Sequence, residues 1–461
     1  MNYTEDLDLR RVKRAHFIGI GGIGMSGIAR LMMGLGYEVS GSDAKASEIT
    51  SALAAEGAAV AAGHSAAALG SPDVVVVSSA VKPGNPELEA AFRRGLPVVR
   101  RAYMLSRLTE LKRTVTVAGT HGKTTTTTMT AAALEAAGAD ATAVVGGIIK
   151  GAGSNIKLGG GRYLVAEADE SDGSFLYFSP LVACVTNVDS DHLDHYGGMR
   201  ELKRAFLSHL ARVPFYGQAV LCWDDPVLRE LLPEVRTPLV TCGLSEGADW
   251  RARGVRLTPE GASYTAFFRG RRKGRVRLRC GGVHNVRNSL LALAAGHYLG
   301  FPFDRLADGL WNFAGVKRRM DRHGEAGGVE FVDDYGHHPT EIKATLAAAR
   351  GLFPGRRLVV LFQPHRYTRT ALLHREFSRA FGDADRVYVA PVYGAGEKPI
   401  PGVDSSLILR GLRSSGSPAS AFPGVLEAMK ELRPGDVFLT LGAGDVWKTG
   451  EEVKLKLELL G

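Results

Sequence analysis

Two glycine-rich turns in this chain have the residue types of phosphate cradles. The later one reads Val117-Ala118-Gly119-Thr120-His121-Gly122-Lys123-Thr124-Thr125, between a strand-like apolar run and a helix-like segment. Gly122-Lys123-Thr124 is the ending of a phosphate-binding loop. The first glycine of the general form would fall at Val117, and Gly119 serves instead. Backbone N–H groups from Gly119 through Thr120 and His121 to Thr125 can cradle phosphates, Lys123 can reach the β- and γ-phosphates, and the Thr124 hydroxyl can ligate Mg²⁺. The earlier turn reads Gly19-Ile20-Gly21-Gly22-Ile23-Gly24, with Asp43 about 20 residues further on. Gly19, Gly21 and Gly24 satisfy G-x-G-x-x-G. Such glycines let the backbone approach a pyrophosphate, the helix start supplies N–H groups, and the acid binds a ribose hydroxyl. The signal specifies a diphosphate, so a UDP-sugar fits as well as NAD. Gly22 and Ser78, which ends a neighbouring strand-like run, are placed with it.

Other candidates stand at predicted strand ends. Glu167 ends one strand, and Glu170 and Asp172 lie further out in the same acidic loop. His192 lies among Asp189, Asp191 and Asp194, where oxygen donors suit Mg²⁺ better than imidazole does. His284, Asn285 and Asn288 open a helix. Carboxamides donate and accept together, as an adenine edge requires, and helix capping by Asn285 is the alternative. Arg319, in Lys317-Arg318-Arg319, can clamp a γ-phosphate on closure, although at least one of the three is expected to be a solvated charge. Tyr335, His337, His365, Arg366 and Arg369 follow two strands, and the two arginines suit a bidentate grip on a carboxylate.

The elements that hold these groups form three blocks, so the fold class is three-domain α/β. Residues 1–112 alternate strands (15–20, 36–40, 74–78, 97–100) with helices, which implies a Rossmann-like parallel sheet. Residues 113–318 hold strands at 114–119, 163–168, 182–187, 219–223 and 238–242. Alternating hairpins follow over 249–280, with a turn at Thr258-Pro259-Glu260-Gly261, and helices near 285–298 and 303–313. This is a P-loop ATPase-like α/β domain with antiparallel edge hairpins. Residues 319–461 read as a second Rossmann-like domain, with strands at 329–333, 358–363, 386–391 and 437–441.

Taken jointly, these residues resemble the Mur ligases, ATP-dependent enzymes that build the peptide stem of peptidoglycan. The resemblance rests on the Gly119–Thr125 loop and on Glu167-Ala168-Asp169-Glu170-Ser171-Asp172, Thr186-Asn187-Val188-Asp189-Ser190-Asp191-His192-Leu193-Asp194, His284-Asn285-Val286-Arg287-Asn288, Asp333-Asp334-Tyr335-Gly336-His337-His338-Pro339-Thr340-Glu341 and Gln363-Pro364-His365-Arg366-Tyr367-Thr368-Arg369, in order through all three blocks. It implies a UDP-binding first domain, an ATP-binding second and an amino-acid-binding third. It implies ATP and Mg²⁺ as cofactors, Glu167 and His192 as metal ligands beside Thr124, and Tyr335 and His337 beside the amino acid. The reacting groups it implies are Lys123, Glu167, His192, Arg319 and His337. The implied substrates are UDP-N-acetylmuramate and L-alanine, joined through an acyl phosphate.

The nearest competitor is a ligase adding a preformed tripeptide to the same UDP-sugar. By the resemblance it lacks Gln363-Pro364-His365-Arg366, whose presence favours one small amino acid. An NAD(P)-dependent oxidoreductase would leave Lys123 unexplained, and a non-catalytic nucleotide sensor would leave Arg366 and Arg369 unexplained.

Composition narrows the rest. In 461 residues, 45% are hydrophobic, 23% are charged and 57 are glycine, which excludes a disordered chain, a coiled coil and a disulfide miniprotein. The net charge of +9 is spread out, apart from short runs at 10–14 and 269–275, so anionic small molecules rather than nucleic acid are expected. Cys184, Cys222, Cys242 and Cys280 are widely spaced, and no uninterrupted run of 18 apolar residues occurs. Free thiols, no membrane insertion, a cytoplasmic location and a monomer or weak homodimer are expected.

Overall fold

The computed structural model describes residues 3–147, 149–150, 154–191 and 193–460. The first sheet is built from β1 (Arg14–Ile18), β2 (Glu38–Asp43), β3 (Ala59–Ala62), β4 (Val74–Val77) and β5 (Val98–Arg100), in the order β3-β2-β1-β4-β5. Every pairing is parallel. The four consecutive valines of β4 are all buried, as a strand covered on both faces requires. Helices α1 (Ile23–Gly34), α2 (Glu48–Ala55) and α3 (Pro86–Arg93) link β1 to β2, β2 to β3 and β4 to β5, and α4 (Arg101–Thr109) follows β5. The winding reverses between β1 and β4, so their carboxyl ends open a crevice at the Gly19 turn.

The second sheet contains β6 (Arg113–Ala118), β7 (Thr142–Val144), β8 (Ile156–Lys157), β9 (Tyr163–Glu167), β10 (Val182–Val185), β11 (Gln218–Cys222), β12 (Leu239–Gly243), β13 (Trp250–Thr258), β14 (Gly261–Phe268) and β15 (Arg271–Leu278). Its order is β15-β14-β13-β12-β11-β10-β6-β9-β7-β8, which sets β6 between β10 and β9. Helices α5 (Lys123–Ala136), α6 (Leu193–Tyr196), α7 (Met199–Leu210), α8 (Pro226–Leu231), α9 (Val283–Tyr298) and α10 (Phe303–Asn312) accompany it. The β14–β15 link is two residues, Arg269 and Gly270, with φ of 48° and 77°, the signature of a tight primed hairpin turn. The expected edge hairpins are present, and the second glycine turn leads directly into α5 at Lys123.

The third sheet holds β16 (Asp321–Ala326), β17 (Val329–Asp334), β18 (Leu358–Phe362), β19 (Arg386–Val389), β20 (Ala419–Ala421) and β21 (Val437–Leu441), in the order β16-β17-β21-β18-β19-β20. Only β16 runs antiparallel among these pairings. Helices α11 (Pro339–Leu352), α12 (Tyr367–Phe377), α13 (Ser405–Ser414), α14 (Val425–Glu431) and α15 (Val446–Leu460) flank the sheet. The sequence reading missed β3, β7, β8, β16 and β20. Within β16 only Asp321 and Ala326 are buried, so it offers no apolar alternation to read.

By contact the chain falls into two compact units, one comprising Met1–Ala252, Ala266–Gly274 and Arg287–Phe313, the other Arg253–Thr265, Arg275–Val286 and Ala314–Gly461. In the first unit one apolar core runs from Phe17 and Met104 to Leu164 and Phe206, and Asn155 and Leu158 pack on Gly27 and Gly34 of α1. In the second, Phe362, Phe377 and Phe381 anchor the core on one side of the sheet, and Phe331 and Phe438 on the other. All four cysteines are free thiols, as expected. Among the described residues, no helix is long and apolar enough to cross a membrane.

Candidate active site

The second glycine turn leaves β6 and enters α5 at Lys123. Gly119 has φ of 128°, and any side chain there would collide with the Thr186 hydroxyl. Gly122 caps the helix at φ of 81°, and a Cβ there would sit 3.0 Å from Asn288 Oδ1. The turn is secured from the loop after β10. Thr120 N donates to Asn187 O at 3.1 Å and His121 N to Asn187 Oδ1 at 2.9 Å. Thr186 Oγ1 and Asn187 Nδ2 both donate to His121 O. Asp189 N donates to Thr120 Oγ1, and its carboxylate meets His121 Nε2 at 3.1 Å.

Strand pairing then delivers the acids. Val117 of β6 sits opposite Glu167 of β9. Thr124 Oγ1 donates to Glu167 Oε1 at 3.0 Å, and Gly146 N donates to Glu167 Oε2 at 2.6 Å. Lys123 Nζ donates to Glu170 Oε2 at 2.8 Å and Oε1 at 3.1 Å. Burial works against the Lys123 charge, but Glu170, Asp169 and Glu167 outweigh it and raise the pKa above the ordinary lysine value. Burial likewise pushes Glu167 and Glu170 above the usual carboxylate range, against the pull of Lys123. A hydroxyl and a carboxylate oxygen converging beside a buried ammonium form a donor set of the hard, all-oxygen kind that Mg²⁺ takes.

The first glycine turn has a different construction. Gly19 has φ of 83°, and Gly19 N and Ile20 N both donate to Ser42 O. Gly21 N donates to Asp43 Oδ2 at 2.9 Å, so the acid expected at a ribose hydroxyl also braces the turn. Ser78 N donates to Ile18 O, and Ser78 Cβ lies 3.1 Å from where a Gly19 Cβ would be. Gly24 faces Arg101, whose Nη1 would be 2.9 Å from a Cβ there. Below the turn lies a network the sequence reading did not find. Glu87 Oε2 accepts from Ser42 Oγ at 2.7 Å and meets His16 Nε2 at 3.0 Å, and Ser42 Oγ meets His64 Nδ1 at 2.9 Å. Burial alone would raise the Glu87 pKa, yet its bonds to His16, Ser42 and Ser65 N overcome that and lower it.

In the third sheet, four of the five residues expected to hold an amino acid, Tyr335, His337, His365 and Arg369, do gather, whereas the Arg366 guanidinium lies 3.9 Å from Glu397. The His337 and His365 rings lie 5.6 Å apart, Tyr335 stands edge-on to His337, and His365 stacks on Tyr393. Arg369 Nη1 meets His365 Nδ1 at 3.3 Å, and Arg369 is buried. Arg366 caps α12 with φ of 70°, an uncommon conformation for a side-chain-bearing residue. Arg318 and Arg319 both lie over the Tyr335 ring, and Arg319 reaches Glu341 at 3.5 Å. Arg318 pairs with Asp333 at 2.9 Å, whereas Lys317 is the solvated charge. The loop Gly442-Ala443-Gly444-Asp445 went unread. It follows β21, which lies between β17 and β18, and Gln363 Nε2 donates to Asp445 Oδ1.

Asn285 Nδ2 donates to Gly281 O at 2.7 Å at the start of α9, and His284 lies against Gly282. His192 lies outside the described residues.

A doubly wound sheet with a crevice at its glycine turn, a second glycine turn with lysine, threonine and carboxylate, and a histidine–arginine cluster on a third sheet have the form of a nucleotide-using α/β enzyme. The chain belongs to the Mur ligase family. Its models match as Mur ligase family catalytic domain over residues 14–113, Mur ligase middle domain over 117–296, and Mur ligase glutamate ligase domain over 318–444. A UDP-N-acetylmuramate–L-alanine ligase of Endomicrobium trichonymphae is 49% identical over 438 residues, spanning 95% of this chain and 97% of its own length. The solved UDP-N-acetylmuramate–alanine ligase of Thermotoga maritima superposes with a TM-score of 0.78 at 30% identity, covering 97% of this chain and all of that one. A murein peptide ligase of Psychrobacter arcticus gives 0.68 at 26% identity, covering 97% and 99%.

Proposed function

We propose that this chain is an ATP-dependent ligase joining L-alanine to the lactyl carboxylate of UDP-N-acetylmuramate, a step in peptidoglycan precursor synthesis. The observation that carries this reading is the near-full-length relationship, at 49% identity, to a ligase of that description. The organisation fits three domains, residues 1–112 for the UDP-sugar, 113–318 for ATP and 319–461 for the amino acid, working as a monomer or weak homodimer in the cytoplasm.

The lactyl carboxylate takes the γ-phosphoryl group of ATP, giving an acyl phosphate and ADP. The amine of L-alanine attacks the acyl carbon, an amide forms and phosphate leaves. Gly19, Gly21, Gly22, Gly24, Asp43 and Ser78 hold the UDP moiety. The loop Gly119–Thr125 cradles the triphosphate, and Lys123 neutralises charge that builds on the transferring group. Thr124 and Glu167 would hold Mg²⁺, which when bound neutralises the phosphates. His192 is proposed as a second metal ligand. His284, Asn285 and Asn288 are proposed for the adenine, and Arg319 as a further cation on the phosphate. Arg366 and Arg369 grip the alanine carboxylate, with Tyr335, His337 and His365 around it.

A tripeptide-adding ligase is the second reading, favoured by the likeness to the murein peptide ligase. The test gives the protein ATP, Mg²⁺ and UDP-N-acetylmuramate with L-alanine, glycine, L-serine or the tripeptide in turn, and follows phosphate release. Release should depend on the amine and be fastest with L-alanine. Fastest release with the tripeptide would select the second reading, and no response to any amine would end both.

A further inference from the structure

The Lys123 ammonium has three N–H donors. Three oxygens surround it: Glu170 Oε2 at 2.8 Å, Glu170 Oε1 at 3.1 Å and Thr120 O at 3.2 Å. Its hydrogen-bonding capacity is therefore filled before any phosphate arrives. The pair is deeply enclosed, with the Lys123 side chain 13% exposed and that of Glu170 1%. Glu170 does not reach in from a loose loop. Its carbonyl accepts from Gly173 N at 3.0 Å and from the Tyr196 hydroxyl. Asp169, at 3.8 Å from the ammonium, is more exposed and more distant.

A phosphate oxygen can take Lys123 only by displacing one of the three. The Thr120 carbonyl belongs to a turn fixed by Asn187 and Asp189. The carboxylate moves on rotatable bonds, so it is the group that yields. We propose that Glu170 is a positioning residue that stands in for a phosphate: it keeps the buried Lys123 ammonium compensated and aimed while nucleotide is absent, and competes with the triphosphate for it. This rests on the reading that Lys123 receives ATP.

Removing the Glu170 charge leaves the enclosed cation only the weaker compensation of Asp169, 3.8 Å away and more exposed, and of Glu167, which destabilises the free protein and strengthens its hold on an incoming anion. A merely structural glutamate would give lower stability with unchanged or weaker binding. The experiment uses the full chain without Mg²⁺, measuring ATP binding calorimetrically and thermal unfolding with and without ATP. Glu170→Gln should tighten ATP about fivefold or more, lower the unfolding temperature of the free protein, and enlarge the rise that ATP produces. Glu170→Asp, whose carboxylate reaches less far, should fall between wild type and Glu170→Gln, and it decides the matter if Glu170→Gln does not fold. Unchanged or weaker binding in the folded variants overturns the inference. Lys123→Ala is the control: wild-type ATP binding that survives it removes Lys123 from the nucleotide site, a failure of the underlying reading rather than of the competition.

Discussion

The two glycine turns, proposed above to hold the UDP-sugar and ATP, are built by opposite means. In the first, the work is done by backbone. Gly19 and Gly21 shape it, Asp43 and the Ser42 carbonyl brace it, and the turn itself carries no cation. In the second, the same strand–turn–helix path brings Lys123 and Thr124 to a helix start, facing the half-buried Glu167 and the buried Glu170. The supports differ as well. A buried carboxylate, Glu87, lies under the first turn between His16 and Ser42. Under the second, the buried His209 bridges the Thr116 hydroxyl and the Phe175 carbonyl. On the proposed roles, the contrast teaches that holding a diphosphate needs little more than N–H groups, whereas moving a phosphoryl group needs a cation and metal-binding oxygens in fixed places.

The largest expected effect separates the two roles directly. Lys123→Ala should cut turnover by roughly 10²–10³-fold, read by phosphate release, while calorimetric UDP-sugar affinity holds. Wild-type turnover would erase the distinction.

Next comes the support under the second turn. Burial pushes the His209 pKa down to about 4 from 6.5. Between those values the unfolded chain binds a proton that the folded one refuses, so stability is full above pH 6.5 and falls as pH drops toward 4, by roughly 3 kcal/mol. Denaturant midpoints at pH 7.5, 5.5 and 4.5 should show this for wild type, and His209→Gln should lose that part of the slope.

Gly119→Ala should cost about 1–3 kcal/mol through collision and backbone strain. It should lower the unfolding temperature and weaken ATP binding before it touches UDP-sugar binding. An equal loss at both sites would mean that the turns are not independent.

The smallest effect sharpens the first turn. A Cβ at Gly21 would lie 2.9 Å from Asp43 Oδ2, whereas one at Gly22 meets nothing nearer than 3.6 Å. Gly21→Ala should raise the UDP-sugar KM by about 5–10-fold, near 1 kcal/mol, and Gly22→Ala, which disturbs no brace of the turn, should raise it by less. Equal effects would show that the Asp43 brace is not what positions this turn.

Much of this was legible in the chain. The run at 74–78 was read as a strand of a parallel sheet, and both turns were found from their glycines and flanking elements. β16 was not, because a strand with four exposed positions of six has no apolar rhythm. Nor was the Glu87 network, since His16, Ser42, His64 and Glu87 are each ordinary in their local context. Glu170 was visible only as an outlying acid, and Asn187 and Thr186 were read within a motif rather than as the fastening of the second turn.

The sequence by itself determined where phosphate-binding turns can form, because left-handed glycines, a lysine and a threonine at a helix start are local requirements written in adjacent residues. The tertiary structure alone decided which acids serve them. Glu167 reaches Thr124 because β6 pairs with β9 in the register that sets Val117 opposite Glu167, and Glu170 reaches Lys123 from 47 residues away. Strand register follows from the packing of the whole sheet, and no short stretch of side chains encodes it.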